Sequence, residues 1–208
     1  MRDLYADLTE YTGRFKELVI ARADIASVEL AWLWELYKDD PIAFYRETDL
    51  YIFALTRYQY RMQVRKLHTW FEYMIKKHSW KKGLDYGGGI GEQTILAMKN
   101  DVEMVFTDIQ DSKTLDYAKW RFKKYDVKPE INYEGYQINQ DFDFINAMDI
   151  FEHLEKPEPI IKSIHKHTEW LFCNPEQLKY NEWVPQHISK FDLTKYFKHE
   201  DLYLWRRI

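Results

Sequence analysis

The stretch LDYGGGIGE, residues 84–92, constrains the fold of this chain more than any other feature. The chain has seven glycines, and Gly83, Gly87, Gly88, Gly89 and Gly91 fall within nine positions. Glycine takes up positive φ without strain and lets a ligand approach the backbone closely. A tight turn needs one or two such residues, whereas four stand in the five positions 87–91. A short apolar run, KKGLDY, precedes them and a helical pattern, GEQTILAMKN, follows. A glycine loop between strand and helix lies beyond a strand's carboxyl end, where doubly wound sheets bind small molecules. The loop therefore reads as a ligand cradle.

The rest of the chain from residue 81 agrees. VEMVFTDI is followed by SKTLDYAKWRFKKYD, and EINYEG leads with little room for a helix to FDFINAMDI. PEPIIKSIHKH precedes EWLFCNP, and FDLTKYF precedes LYLWRRI. Strands alternating with helices imply right-handed βαβ units and a mostly parallel sheet. The expected class is α/β, a doubly wound Rossmann-like sheet over residues 81–208. Residues 1–80 contain one glycine and one proline and read as helices. In ADIASVELAWLWELYK, Ile25, Val28, Trp32 and Leu36 share one helical face. VRKLHTWFEYMI repeats that stripe with Val64, Leu67, Phe71, Met74 and Ile75. Both stripes are expected in the core. Asp40 and Pro41 suit the N-cap and first position of a further helix.

The dinucleotide fingerprint G-x-G-x-x-G fails here, because from Gly87 the last position is Glu92 and from Gly89 it is Thr94. The spacing is instead Asp85-x-Gly87-x-Gly89-x-Gly91, with an acid before the loop. A carboxylate there opposes a pyrophosphate and suits a ligand carrying an ammonium group.

LDYGGGIGE resembles motif I of the class I S-adenosylmethionine-dependent methyltransferases, and the resemblance runs from about residue 81 to about residue 200. It implies S-adenosylmethionine as cofactor, cradled by Asp85, Gly87, Gly88, Gly89 and Gly91. Asp108, in VFTDI, stands 17 positions past Gly91. The resemblance makes it the acid that takes the ribose hydroxyls, with Ile109 beside it. FDFINAMDIFEHLEKP resembles the fourth strand and the turn facing the donor, which adds Asp149. CNPE resembles the loop after strand five, and QHISKFDLTKYF a downstream segment carrying His187 and Phe191. Two departures stand out. NYEGYQINQ is short for a helix, so the adenine's usual acidic contact has no obvious counterpart, and Tyr136 or Gln137 is expected to border that site. The chain also shows one strand-like run before Ile208, which puts the sheet's antiparallel edge in question.

Methyl transfer from a sulfonium is an in-line displacement, helped by positioning and, for a hydroxyl or protonated amine, by a base. The catalytic candidates are His153, His187 and Glu152. Asp149, Glu152 and His153 stand at i, i+3 and i+4, one face of a helical turn. With His187 they resemble the E-x-x-E-H turn of magnesium-dependent ubiquinone-pathway and small-RNA 2′-O-methyltransferases. The same EHL turn also occurs without metal, and no metal is expected here.

Composition narrows the partners. Net charge is −4, which argues against nucleic acid. A basic cluster, Arg57, Arg61, Arg65, Lys66, Lys76, Lys77, Lys81 and Lys82, reads as a solvated face, or else as a phosphate-binding surface for RNA. No apolar run reaches the roughly 18 residues of a membrane span, and the N-terminus has no apolar signal core. The single cysteine, Cys173, leaves no internal disulfide, so a cytoplasmic location is expected. Aromatic residues make up 17% of the chain, enough for a dense core or an aromatic-walled pocket. The reading is thus a small-molecule methyltransferase whose helices 1–80 cap the donor site, with some of Trp32, Tyr51, Tyr58 and Tyr60 lining the pocket. Packing of those helices behind the sheet or in a homodimer is the alternative. An RNA methyltransferase and a donor-binding protein without turnover are the competing functions.

Overall fold

The computed structural model describes residues 2–174 and 184–208. Five helices come first: α1 (Leu4–Thr12), α2 (Lys16–Tyr37), α3 (Pro41–Glu47), α4 (Leu50–Val64) and α5 (Leu67–His78). Then follow β1 (Lys82–Tyr86), α6 (Glu92–Met98), β2 (Glu103–Asp108), α7 (Lys113–Lys124), β3 (Glu130–Tyr133) and β4 (Phe142–Asn146). Among the described residues, α8 (Pro157–His167), β5 (Thr168–Phe172), β6 (Phe197–Asp201) and β7 (Leu204–Arg207) come next, with short 3-10 turns at Phe151–His153 and Leu193–Lys195. The expected cap at Asp40 forms. Asp40 accepts from the Ala43 N–H with Pro41 in the first turn of α3. Ser112 does the same for Leu115 at the start of α7.

The seven strands form one sheet in the order β3-β2-β1-β4-β5-β7-β6. β1 pairs in parallel with β2 and with β4, and β4 with β5. β7 runs antiparallel between β5 and β6. The antiparallel edge left in question is therefore complete. KYFKHED supplies β6, and a turn at Leu202 and Tyr203 returns the chain into β7. The strand order reverses between β1 and β4, so the crevice beyond their carboxyl ends is the sheet's switch point. β3 leads to β4 without a helix, as the short connection requires.

The two sheet faces are covered differently. Phe144 and Phe172 point to the face packed by Phe71, Met74 and Ile75 of α5 and by Leu96 of α6. Ile145 and Leu171 point to the other, under Ile161 and Ile164 of α8. Helix α5, within the expected cap, thus belongs to the sheet's own layers. Leu67, Phe71, Met74 and Ile75 are buried as expected, but Val64 is exposed. The chain breaks at Lys66, where φ is +60°, and this ends α4 and starts α5 on a new axis.

The α2 stripe is a larger correction. Ile25, Val28, Trp32 and Leu36 are exposed, and Val19, Ala23, Ala26, Leu30 and Trp34 are buried instead. This helix carries apolar residues on two opposite faces, so periodicity alone does not choose between them. The inner face carries alanines, which let α2 lie close against Ile52 and Phe53 of α4.

Candidate active site

At the switch point a cavity of about 320 Å³ opens between the glycine loop and the helices α3 and α4. The loop side is built by the backbone. The Gly88 N–H donates to the Thr107 carbonyl at 3.0 Å. The Gly89 N–H donates to Asp108 Oδ2 at 2.7 Å, and the Ile109 N–H to Asp108 Oδ1 at 2.7 Å. Gly89 has φ +57°, in the left-handed region, where a side chain would be strained and would meet Leu55 at 3.0 Å. Gly91 also has positive φ, but a Cβ there would strike Phe122 of α7 at 2.4 Å. Gly87, Gly88 and Gly89 line the cavity, while Gly91 seats α6 on α7 and lies outside the lining.

Asp85 also stands outside it. Its carboxylate is fully buried and accepts from Thr94 Oγ1 at 2.6 Å and Asn146 Nδ2 at 2.7 Å. It anchors the strand behind the loop through these two bonds. Asp108 and Ile109 line the cavity. Burial raises the Asp108 pKa to about 7, against the pull of the two N–H groups. Each Asp108 oxygen accepts one backbone N–H and keeps a lone pair, the capacity needed for two ribose hydroxyls. The backbone approach at Gly87–Gly89 and these lone pairs fit the nucleoside of S-adenosylmethionine. Toward the sheet edge the lining is Tyr133, Glu134 and Gly135, not Tyr136 or Gln137. Glu134 accepts from the Gln110 N–H and from Arg46.

The opposite wall comes from the N-terminal helices. Pro41, Ile42 and Tyr45 of α3 and Tyr51, Leu55, Tyr58 and Gln59 of α4 line it. Tyr51 and Tyr58 are thus placed as expected, and Trp32 and Tyr60 are not. Trp32 is exposed to solvent, and Tyr60 packs tilted against Tyr5 at a separate surface groove. Burial, followed by the charge of Asp149, raises the Tyr58 hydroxyl's pKa. None of the eight residues of the basic cluster lines the cavity.

The turn after β4 departs from the expected single face. Asp149 has φ +54°, which ends helical spacing before the 3-10 turn Phe151–His153. Asp149 and His153 line the cavity, while Glu152 and His187 do not. His187 Nε2 is 3.8 Å from Glu152 Oε1, and one donor atom each of Glu152, His153 and His187 fall within 4.8 Å of one another. Asp149 is not in that group. His153 Nδ1 is 3.1 Å from the Gln186 carbonyl and 3.1 Å from Tyr45 Oη. The carbonyl can only accept, so the pairing assigns the ring proton to Nδ1 and the lone pair to Nε2. Burial, then the neighbouring His187, lowers the His153 pKa to about 4, so the ring is neutral near pH 7. Burial also lowers the His187 pKa. Of the CNPE loop, Pro175 and Glu176 lie outside the described residues.

Sequence reasoning missed Tyr45 and the carbonyl of Gln186, because nothing local ties either to a site 108 or 33 positions away. It also missed Arg121. This fully buried guanidinium donates to the Ile90 carbonyl at 2.8 Å and contacts Glu92 Oε2 at 2.5 Å and Asp7 Oδ2 at 3.2 Å. It ties α1 to the glycine loop and to the start of α6. Among the described residues, no helix is long and apolar enough to cross a membrane.

Comparison with known proteins follows the same lines. An O-methyltransferase family protein from Burkholderia thailandensis superposes with TM-score 0.56 at 10% identity, over 88% of this chain and 71% of that one. That likeness is one of fold. An S-adenosylmethionine-dependent methyltransferase from Clostridium acetobutylicum gives TM-score 0.48 at 16% identity, over 59% of this chain and 58% of that one. The N-terminal domain of EvdMO1, crystallised with SAH and D-fucose, gives 0.45 at 13% identity, over 51% and 48%. This chain therefore spans about half the length of the last two. Comparison with curated proteins gives no match. The family model described as a methyltransferase domain matches residues 56–205, and the chain belongs to that family, within the class I S-adenosylmethionine-dependent methyltransferases.

Proposed function

We propose that this chain transfers a methyl group from S-adenosylmethionine to a small, largely apolar acceptor held under α3 and α4. The observation that carries this reading is the sharing of one cavity by the glycine loop and the tyrosines Tyr45, Tyr51 and Tyr58. The bound donor supplies a methyl group on a sulfonium, and the chain's residues do the positioning. Gly87–Gly89 and Asp108 hold the nucleoside. The two helices exclude water and set the acceptor's approach, a large part of the barrier in displacement reactions. His153, neutral and with its Nε2 lone pair free of the Gln186 carbonyl, can take a proton from an acceptor hydroxyl or ammonium. A location in the cytoplasm goes with the single reduced thiol of Cys173, which is buried.

A panel of small aromatic and aliphatic alcohols, amines and thiols, assayed for release of the demethylated donor, tests this. Turnover of a member at a rate that falls on Tyr51→Ala supports the reading. Donor binding with no turnover across the panel favours a donor-binding protein instead. A second reading rests on the proximity of Glu152, His153 and His187, which suits a divalent cation. Activity that chelation removes, that magnesium or manganese restores, and that Glu152→Ala lacks would favour it, together with an RNA acceptor.

A further inference from the structure

The exposed face of α2 carries a row of large apolar side chains. Phe15 at its N-cap, Leu18, Ile25, Val28, Trp32 and Leu36 follow one another along a single side of the helix. Trp32 is 76% exposed and Leu36 79%. Together these side chains present on the order of several hundred Å² of apolar surface, a size at which patches are often functional. A helix of 22 residues is about 33 Å long, so the strip is a ridge rather than a point.

We infer that this ridge is the interface with a second copy of the same chain, packed antiparallel about a two-fold axis near Ile25 and Ala26. The charges carry the choice of occupant. Two ionised residues interrupt the strip, Arg22 and Glu29, which pair within the chain at 2.7 Å. They are equidistant from the midpoint between residues 25 and 26. A two-fold axis there sets Arg22 against the partner's Glu29, and Glu29 against the partner's Arg22. It also sets Phe15 against the partner's Leu36. Along the Arg22–Glu29 edge the face is thus complementary to itself when reversed, as an isologous interface requires, and on the acidic edge Asp24 and Glu35 are already paired within the chain with Arg57 and Lys38. A parallel copy would set Arg22 against Arg22. A lipid surface fits poorly, because the strip's edge carries Glu17, Asp24 and Glu35 where interfacial helices carry Lys and Arg. The inner face of α2 packs on α4, which lines the donor cavity, so a dimer would buttress the roof of the site from outside.

Sedimentation velocity of the intact chain tests this. The expected result is a concentration-dependent dimer. Trp32→Glu should give a monomer with an unchanged far-ultraviolet spectrum and unchanged S-adenosylmethionine affinity, since Trp32 touches neither core nor cavity. Arg22→Glu alone and Glu29→Arg alone should each weaken the dimer by on the order of tenfold through like charges across the axis. An equimolar mixture of those two variants should recover it as a heterodimer. In that mixture every pair across the interface is opposite in sign, while every pair within a chain is still repulsive. A chain that stays monomeric at its highest soluble concentration overturns the inference. So does a dimer indifferent to Trp32→Glu, or a mixture no tighter than the single variants. Flotation with vesicles of phosphatidylcholine and phosphatidylserine should leave the protein behind, and retention of a monomer on them would make the ridge a membrane contact.

Discussion

Asp108 Oδ2 accepts a hydrogen bond from the backbone N–H of Gly89 at 2.7 Å, which joins the end of β2 to the middle of the glycine loop. The bond fixes the loop before any ligand arrives. It leaves a carboxylate whose ionisation is finely balanced, because burial has raised its pKa to about 7.

The donor's affinity should therefore depend on pH. Ribose hydroxyls donate to the ionised carboxylate, so binding favours that form and releases a proton where the acid is still protonated. Affinity should rise with pH up to about 7 and level off above it. Calorimetry in buffers of different protonation enthalpy reads the released proton. Asp108→Asn should weaken binding by roughly 1–3 kcal/mol through lost charged hydrogen bonds and remove the pH dependence.

The turnover step should respond differently. His153 has a pKa near 4, so it stays neutral across the range in which Asp108 titrates. At saturating donor, kcat should show no acid limb from this histidine above about pH 5. His153→Ala should lower kcat by roughly 10²-fold or more if it takes the acceptor's proton, with donor affinity nearly unchanged. Tyr45→Phe should give a smaller loss, because the Gln186 carbonyl still holds Nδ1. Steady-state kinetics with separate donor affinity measurements distinguishes these outcomes.

Stability should hinge on Arg121. Removing its charge by Arg121→Met leaves Asp7 and Glu92 buried without that partner, which costs about 3–5 kcal/mol. Burial opposes ionisation of Glu92, but the cations of Arg121 and Arg2, with His68, hold its pKa below the usual value. A depressed carboxylate stabilises the fold fully above its unfolded pKa of about 4.3 and loses that contribution as pH falls through the folded value. Urea titrations from neutral pH down into the acid range should show this loss in the parent protein. The acid slope should be shallower in Glu92→Gln.

The β-rich half was legible because each signal was local. Glycines, apolar runs and helical patterns stood next to one another, and the order of β1, α6, β2 and α7 followed directly. Asp108 and the glycine loop were legible for the same reason. The failures came where one stretch offered two answers or where the partner was remote. Helix α2 is apolar on both faces, and only packing on α4 chose Ala23 and Ala26 over Ile25 and Trp32. Helical spacing puts Asp149 on one face with His153, but its positive φ breaks that spacing. Asp85 was legible as an acid before the loop, but its bonds to Thr94 and Asn146, 9 and 61 positions away, were not. Tyr45, Gln186 and Arg121 act across large separations in sequence, which no motif length spans.

The most direct test of the account is a calorimetric titration of the intact chain with S-adenosylmethionine, beside Gly89→Val. A side chain at residue 89 would be strained at φ +57° and would crowd Leu55 at the cradle. The parent protein should show a single saturable site. The variant should show no detectable binding, while its circular dichroism remains that of a folded α/β protein. An intact chain that gives no donor binding would contradict the cofactor site, and with it the methyl-transfer reading.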